Sequence, residues 1–267
     1  MQFYNSNYDN VESYIEELTQ SNIKTNTLRR KIACIKVFYN YLKYQHIIEE
    51  NPFNQLRFQF RTEKILPKTI PYDILKNIFS YLEQRVVISK TDYQKQKAER
   101  NLLIISLLLS TGIRISELCH IHLKDINLSN KTLHIIGKGK KERILFLGDQ
   151  TTFNLLETYI NKNGKESNDF LFPGKHSPKP LSEQSVRLIL KRIVEQNGLS
   201  KTITPHMFRH SFATMLLDND VDIRYIQQIL GHSSISITQI YTHVSHSKQK
   251  EILSSFNPMS VIHSEIE

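Results

Sequence analysis

Apolar positions recur at helical spacing along most of the chain. From Leu28 they return at Ile32, Ile35, Phe38 or Tyr39, and Leu42, which lines one face of a helix. Asn26 or Thr27 is placed to cap it, and Asp9 or Asn10 to cap an earlier helix from Val11 to about Gln20. Asn51-Pro52 is a stop signal. After Pro71 a new apolar stripe begins with Ile74, Leu75, Ile78, Phe79 and Leu82. The run Leu102 to Leu109 is the most apolar in the chain. It is about half as long as a membrane span, so it reads as a buried helix. Thr111-Gly112 closes it, since glycine suits a helix C-terminus, and another helix starts near Ser116.

The period changes once. Thr132 to Ile136 and Arg143 to Leu147 are β-prone and flank a Gly-Lys-Gly-Lys-Lys turn, the pattern of a hairpin. Helical spacing then resumes, broken by Pro and Gly between 173 and 180. The expected fold is mainly α with a small β-hairpin or sheet, an α+β chain. Its organisation reads as a short helical domain over residues 1–60, a linker over 61–69, and a second domain over 70–267.

Charge narrows the class of partner. Lys and Arg number 35 against 26 Asp and Glu, a net charge of +9, and the pI is about 9.4. Such a chain suits a polyanion, because each neutralised phosphate releases counterions. Arg29, Lys36 and Lys43 recur every seven residues on one helical face. That stripe either follows a DNA backbone or simply faces solvent. Cys34 and Cys119 are far apart and form no disulfide or metal pattern, in keeping with a reducing cytoplasm. No basic-then-apolar leader opens the sequence, and no membrane role is expected.

Several residues carry candidate chemistry. In Thr204-Pro205-His206-Met207-Phe208-Arg209, Thr204 suits an N-cap and Pro205 the first helical position. His206 and Arg209 then share one face at a helix start, where anions are favoured. Asp222 to Leu230 reads as a short helix ended by Gly231, with His232 next and Tyr241 further on. Arg114 sits between two helices among apolar neighbours, so it needs a carboxylate or phosphate partner; Glu117 is the local choice. Lys138 lies in the hairpin turn, whose glycines let the backbone approach a ligand; an exposed turn lysine is the ordinary alternative.

The blocks TGIRISEL, IGKGKKERILFL, TPHMFRHSFAT and ILGHSSISITQIYTHV, in this order, resemble the tyrosine recombinase (phage integrase) family, most closely its Xer-like site-specific recombinases. The resemblance covers about residues 65–250. It implies an N-terminal core-binding domain and a C-terminal catalytic domain that together clamp DNA. It implies six catalytic residues: Arg114, Lys138, His206, Arg209, His232 and the nucleophile Tyr241. It also implies cleavage and rejoining of double-stranded DNA at paired sites by a homo-tetramer, a monomer or weak dimer when free, with a possible accessory or partner recombinase. Lys140, Lys141 and Arg143, with Arg29, Lys36 and Lys43, become expected phosphate contacts that position rather than specify.

No cofactor is expected. Gly137-Lys138-Gly139-Lys140 lacks the GxxxxGK[ST] pattern of a nucleotide loop. No HExxH is present, and Cys119, His120 and His122 are too crowded for zinc, so no metal is expected. In the family an element after the nucleophile docks on a neighbouring subunit. Ile252, Leu253 and Phe256 are its expected anchor here, and a helix packed on its own domain is the alternative. Two other readings of the whole chain are a type IB topoisomerase-like relaxing enzyme and a non-catalytic DNA-binding accessory protein.

Overall fold

The structure is a computed structural model and describes residues 8–21, 23–54, 68–137, 142–163, 169–175, 178–199, 202–231 and 246–264. The chain divides into two compact units, Met1–Leu66 and Pro67–Glu267. The expected linker, 61–69, lies outside the described residues except for 68 and 69.

In the first unit, helix α1 (Tyr8–Gln20) buries Val11, Ile15 and Leu18. Helix α2 (Thr25–Tyr44) buries Leu28, Ile32, Tyr39 and Leu42 against them. The stripe is the expected one, but the helix begins at Thr25 with Lys24 as its N-cap and no side-chain cap bond, not at Asn26 or Thr27. Asn51 anchors the turn that follows. Its Nδ2 donates to Asn40 Oδ1 at 2.6 Å, and its Oδ1 accepts the Phe53 N–H at 2.9 Å. Arg29, Lys36 and Lys43 are all exposed along α2.

The second unit is built around one buried helix. α3 (Tyr72–Val87) precedes α4 (Asp92–Thr111), whose segment from Leu103 to Leu109 is shielded on every side. A helix apolar all round belongs in a core. α4 packs on α3, on α6 (Gln150–Asn163) and on α8 (Pro205–Asp218). Thr91 caps its start, with Oγ1 accepting the Gln94 N–H at 3.2 Å. Gly112 ends it in the left-handed conformation, φ 60°. A Cβ on Gly112 would come within 2.5 Å of Phe212 and 2.7 Å of Leu230, so glycine is required for space as well as conformation. That close approach draws α8 and α9 (Ile223–Leu230) onto the turn that carries Arg114.

After α5 (Ile115–Cys119) comes an antiparallel sheet in the order β1 (Ile126–Asn127), β2 (Thr132–Ile136) and β3 (Glu142–Phe146). Leu133 faces Leu145 and Ile135 faces Arg143 across the β2–β3 pair. Side chains alternate along a strand. Arg143 therefore shares the core-facing side with Leu145 and Leu147, both buried. Helix α7 (Glu183–Gln196) follows, started by Ser182, whose Oγ accepts the Ser185 N–H.

The C-terminal region corrects an expectation. α10 (His246–Ser255) and α11 (Pro258–Ser264) fold back onto their own unit. Ile252, Leu253, Met259 and Ile262 join the main core, with Leu253 fully buried, while Phe256 is exposed. Gly148 makes this seat: a Cβ there would lie 1.9 Å from the Leu253 carbonyl oxygen. Polar bonds fix it. The buried Asn257 donates from Nδ2 to the Ser110 carbonyl at 3.1 Å, and Ser260 Oγ donates to Asp149 Oδ1 at 3.0 Å. Ile252 and Leu253 therefore anchor the tail in its own domain, the alternative arrangement for this segment.

Candidate active site

The site assembles at the carboxyl end of α9. Helix C-termini leave their last carbonyls without partners inside the helix. Here three consecutive carbonyls take three guanidiniums. Ile229 O accepts from Arg143 Nε at 3.1 Å, Leu230 O from Arg209 Nη2 at 2.7 Å, and Gly231 O from Arg114 Nη2 at 3.3 Å. The negative end of the helix dipole adds to the attraction. Gly231 itself is left-handed, φ 64°, and a Cβ there would sit 3.1 Å from Arg143 Cδ.

Each arginine comes from a different element. Arg114 is the N-cap of α5, one residue beyond the buried Ile113. Its Nη1 donates to Glu117 Oε1 at 3.0 Å and its backbone N–H to Glu117 Oε2 at 2.9 Å. Its side chain remains 32% exposed, so it keeps an open face. Arg209 projects from the first turns of α8, is buried, and also donates from Nη1 to the Gly112 carbonyl at 2.7 Å. Burial, then the positive charge of Arg114, lowers its pKa to about 10, so it stays charged at neutral pH.

Glu117 ties the group together. Arg143 forks onto it, Nη1 to Oε1 at 2.9 Å and Nη2 to Oε2 at 2.8 Å. With the two Arg114 bonds, each carboxylate oxygen accepts two donors. Burial pushes the Glu117 carboxyl up, but the Arg143 fork and the Arg114 backbone N–H outweigh it and hold the pKa at about 2. The Arg114–Glu117 pairing anticipated from spacing is therefore present, and Arg143 completes it.

Arg143 departs from its expected place. Read from sequence it was an open phosphate contact; in the fold its side chain is only 13% exposed and its donors go to Glu117 and Ile229. The signal lay in the strand period, since Arg143 falls two residues before inward-facing Leu145. His206, at the start of α8, is exposed, as is His210. Burial, with the charges of His206 and Arg209, lowers the pKa of His210. Thr204 stands at the N-cap of α8 in extended conformation without the side-chain bond its type suggested. Lys138, Lys140, Lys141, His232 and Tyr241 lie outside the described residues.

Among the described residues no group of three or more His, Cys, Asp or Glu could hold a metal ion. No helix among them is long and apolar enough to cross a membrane.

The second unit combines helices with a three-stranded antiparallel sheet and gathers three arginines at one helix end, and comparison with known proteins defines the class. The phage integrase family model matches residues 79–248, and the chain belongs to that family. More narrowly, it is a tyrosine recombinase, an enzyme of site-specific DNA recombination. It is 48% identical over 277 residues to a tyrosine recombinase of Agathobacter rectalis, covering 98% of this chain and 89% of that protein. It is 33% identical over 263 residues to tyrosine recombinase XerC of Bacillus subtilis, covering 96% and 83%. Among solved structures it resembles XerH site-specific recombinase bound to difH substrate in a pre-cleavage complex. The TM-score is 0.67 at 24% identity, over 94% of this chain and 71% of that one. These relatives are recombinases, and neither a topoisomerase-like enzyme nor a non-catalytic accessory protein gains support from them.

Proposed function

We propose that the chain cleaves and rejoins DNA strands through a 3′-phosphotyrosyl link to Tyr241, with Arg114 and Arg209 as the phosphate-binding pair. The observation that supports this most is the convergence of those two guanidiniums on adjacent carbonyls of α9, immediately before the sequence segment that holds His232 and Tyr241. In-line attack forms a bond from Tyr241 Oη to phosphorus and breaks the bond from phosphorus to the 5′-oxygen. Extra negative charge then develops on the two non-bridging oxygens. Arg114 and Arg209, held by protein acceptors before substrate arrives, turn their remaining N–H groups to those oxygens. His232 adds a hydrogen bond to the same group.

A phenol with an ordinary pKa of about 10 is a weak nucleophile at neutral pH. His206 assists its deprotonation, and Lys138 donates a proton to the departing 5′-oxygen. One phosphodiester replaces another, so rejoining needs no nucleotide, and the reading calls for no metal or other cofactor.

The substrate in this reading is double-stranded DNA with paired recombination sites, served by a homo-tetramer, with an accessory or partner recombinase as a further component. The first unit is the core-binding domain, reaching phosphates through Arg29, Lys36 and Lys43, and the second, from about residue 70, is the catalytic domain. Lys140 and Lys141 add backbone contacts from the hairpin. The setting is the cytoplasm, and the use is integration and excision of a mobile element or resolution of DNA dimers. The test is a nicked suicide substrate carrying a candidate site. A denaturation-resistant protein–DNA adduct that disappears in Tyr241→Phe supports the reading; an adduct that persists in that variant sinks it.

A further inference from the structure

Away from the arginines, the second unit has a cleft of about 930 Å³ between α3, the first half of α4, and α7. It lies at the opposite end of α4 from Gly112. The stretch from Asn101 to Thr111 alone separates them by about 15 Å at the usual helical rise. The cleft thus belongs to a different part of the surface from the proposed active site.

Its chemistry is one-sided. Arg85, Lys97, Arg100, Lys175 and Arg192 line it, and no carboxylate does among the described residues. Of the acids next to the lining residues, Glu99 accepts Lys162 Nζ at 2.8 Å, Glu195 lies 3.7 Å from Lys191 and Glu83 lies 3.9 Å from His263, while Asp92 stands in the first turn of α4. The Arg100 Nε is buried with no hydrogen-bond partner. Beneath the cations the walls include apolar side chains, with Leu82, Leu181, Ile189 and Ile193 buried. Tyr93 and Leu188 line the same cleft and stay 74% and 43% exposed, and beyond Arg85 on α3 Val87 is 83% exposed. Large apolar groups left open beside a concave site mark a place where another surface docks.

We propose that this cleft is the docking site for an acidic peptide segment of a protein partner, one carrying a large apolar side chain among its carboxylates. Arginine clusters read acidic motifs through charge-assisted hydrogen bonds. An apolar anchor seated in a pocket supplies the rest of the attachment, with charge at the rim. A DNA duplex fits less well. Its backbone presents rigid rows of phosphate and sugar, which match a ridge or track of cations but cannot fill an apolar recess.

The test uses the full chain without DNA, so its failure is separable from that of the recombination reading. The probe is a fluorescein-labelled peptide, Asp-Glu-Leu-Phe-Glu-Asp, compared by anisotropy with its amide analogue Asn-Gln-Leu-Phe-Gln-Asn. At low salt the acidic peptide is expected to bind about tenfold more tightly than the neutral one, and to lose that advantage as ionic strength rises. Arg85→Glu/Lys97→Glu/Arg192→Glu abolishes the preference, and Arg85→Gln/Lys97→Gln/Arg192→Gln, which adds no new charge, serves as the variant least disturbing to the fold. Leu188→Asp weakens binding while leaving adduct formation on the suicide substrate at the wild-type level. Equal affinity for the two peptides overturns the proposal. So does unchanged binding by the glutamine variant with a native melting curve. Displacement of the acidic peptide by a site-free duplex, with equal loss of duplex affinity in the charge-reversed variant, also overturns it and makes the cleft a DNA surface.

Discussion

Arg143 and Glu117 meet guanidinium to carboxylate through two parallel bonds of 2.9 and 2.8 Å, with side chains only 13% and 4% exposed. The same Arg143 holds the Ile229 carbonyl, and the same Glu117 holds Arg114. The pair therefore couples the sheet, α5 and the end of α9, and sets the angle at which Arg114 presents its open face.

Arg143→Ala is expected to behave as loss of a positioning group. Removing Arg143 leaves the buried Glu117 with Arg114 as its remaining cation, so the fold should lose less than the about 3–5 kcal/mol of a buried charge left with no partner. Single-turnover strand cleavage falls with it, because Arg114 loses its support. DNA affinity at fixed salt, and its slope against log salt, stay near wild type. Lys36→Ala gives the opposite pattern: cleavage at saturating DNA is retained, and the salt slope drops by about one unit, as for a single phosphate contact. Filter binding over a salt series, alongside cleavage rates, separates the two. A lowered salt slope in Arg143→Ala contradicts the assignment.

Glu117 should leave a signature in acid. Its pKa in the fold is about 2, against 4.5 for a free glutamate. A depressed folded pKa stabilises the native state above the unfolded value, and that contribution is lost as pH falls from about 4.5 towards about 2. The shift corresponds to about 3 kcal/mol at 1.36 kcal/mol per unit. Glu117→Gln is expected to flatten that part of the stability curve and to be less stable at neutral pH. Chemical denaturation at a series of pH values reads both effects, and an unchanged acid slope in the variant contradicts them.

These residues also show what the sequence could disclose. The buried run of α4, its glycine stop and the β2–β3 hairpin follow from local period and turn chemistry, and all were legible. Arg114 beside Glu117 was legible as well, being three residues apart on one turn. The inward face of Arg143 was available from alternation with Leu145 and Leu147, but positive charge in a basic turn pointed the other way. The gathering of residues 114, 143 and 209 on one helix end was not readable from spacing. It depends on Gly112 letting Phe212 and Leu230 approach, contacts that join positions about a hundred residues apart. The tail was ambiguous for the same reason: Leu253 is buried because Gly148 has no side chain, and Asn257 because Ser110 offers a carbonyl.

The tail yields a contrast between neighbours. Leu253 is fully buried and Phe256 is 38% exposed. Leu253→Ala should cost about 2–5 kcal/mol, as for other leucines removed from a core. Phe256→Ala should stay within about 0.5 kcal/mol, as for most surface changes. Thermal melts of the DNA-free protein read this directly, and equal small shifts for both contradict a tail seated in its own domain.

The central claim is that Arg114 and Arg209 act on the negative charge of the scissile phosphate. The most direct measurement is single-turnover cleavage of a nicked substrate whose scissile group is either a phosphodiester or an uncharged methylphosphonate. On the phosphodiester, Arg114→Ala and Arg209→Ala should each lose about 10²–10³ in rate, as for removal of a donor to a developing oxyanion. On the methylphosphonate, where one charged oxygen is replaced by methyl, most of that loss should vanish for at least one of the two. The same loss on both substrates, for both arginines, contradicts the account.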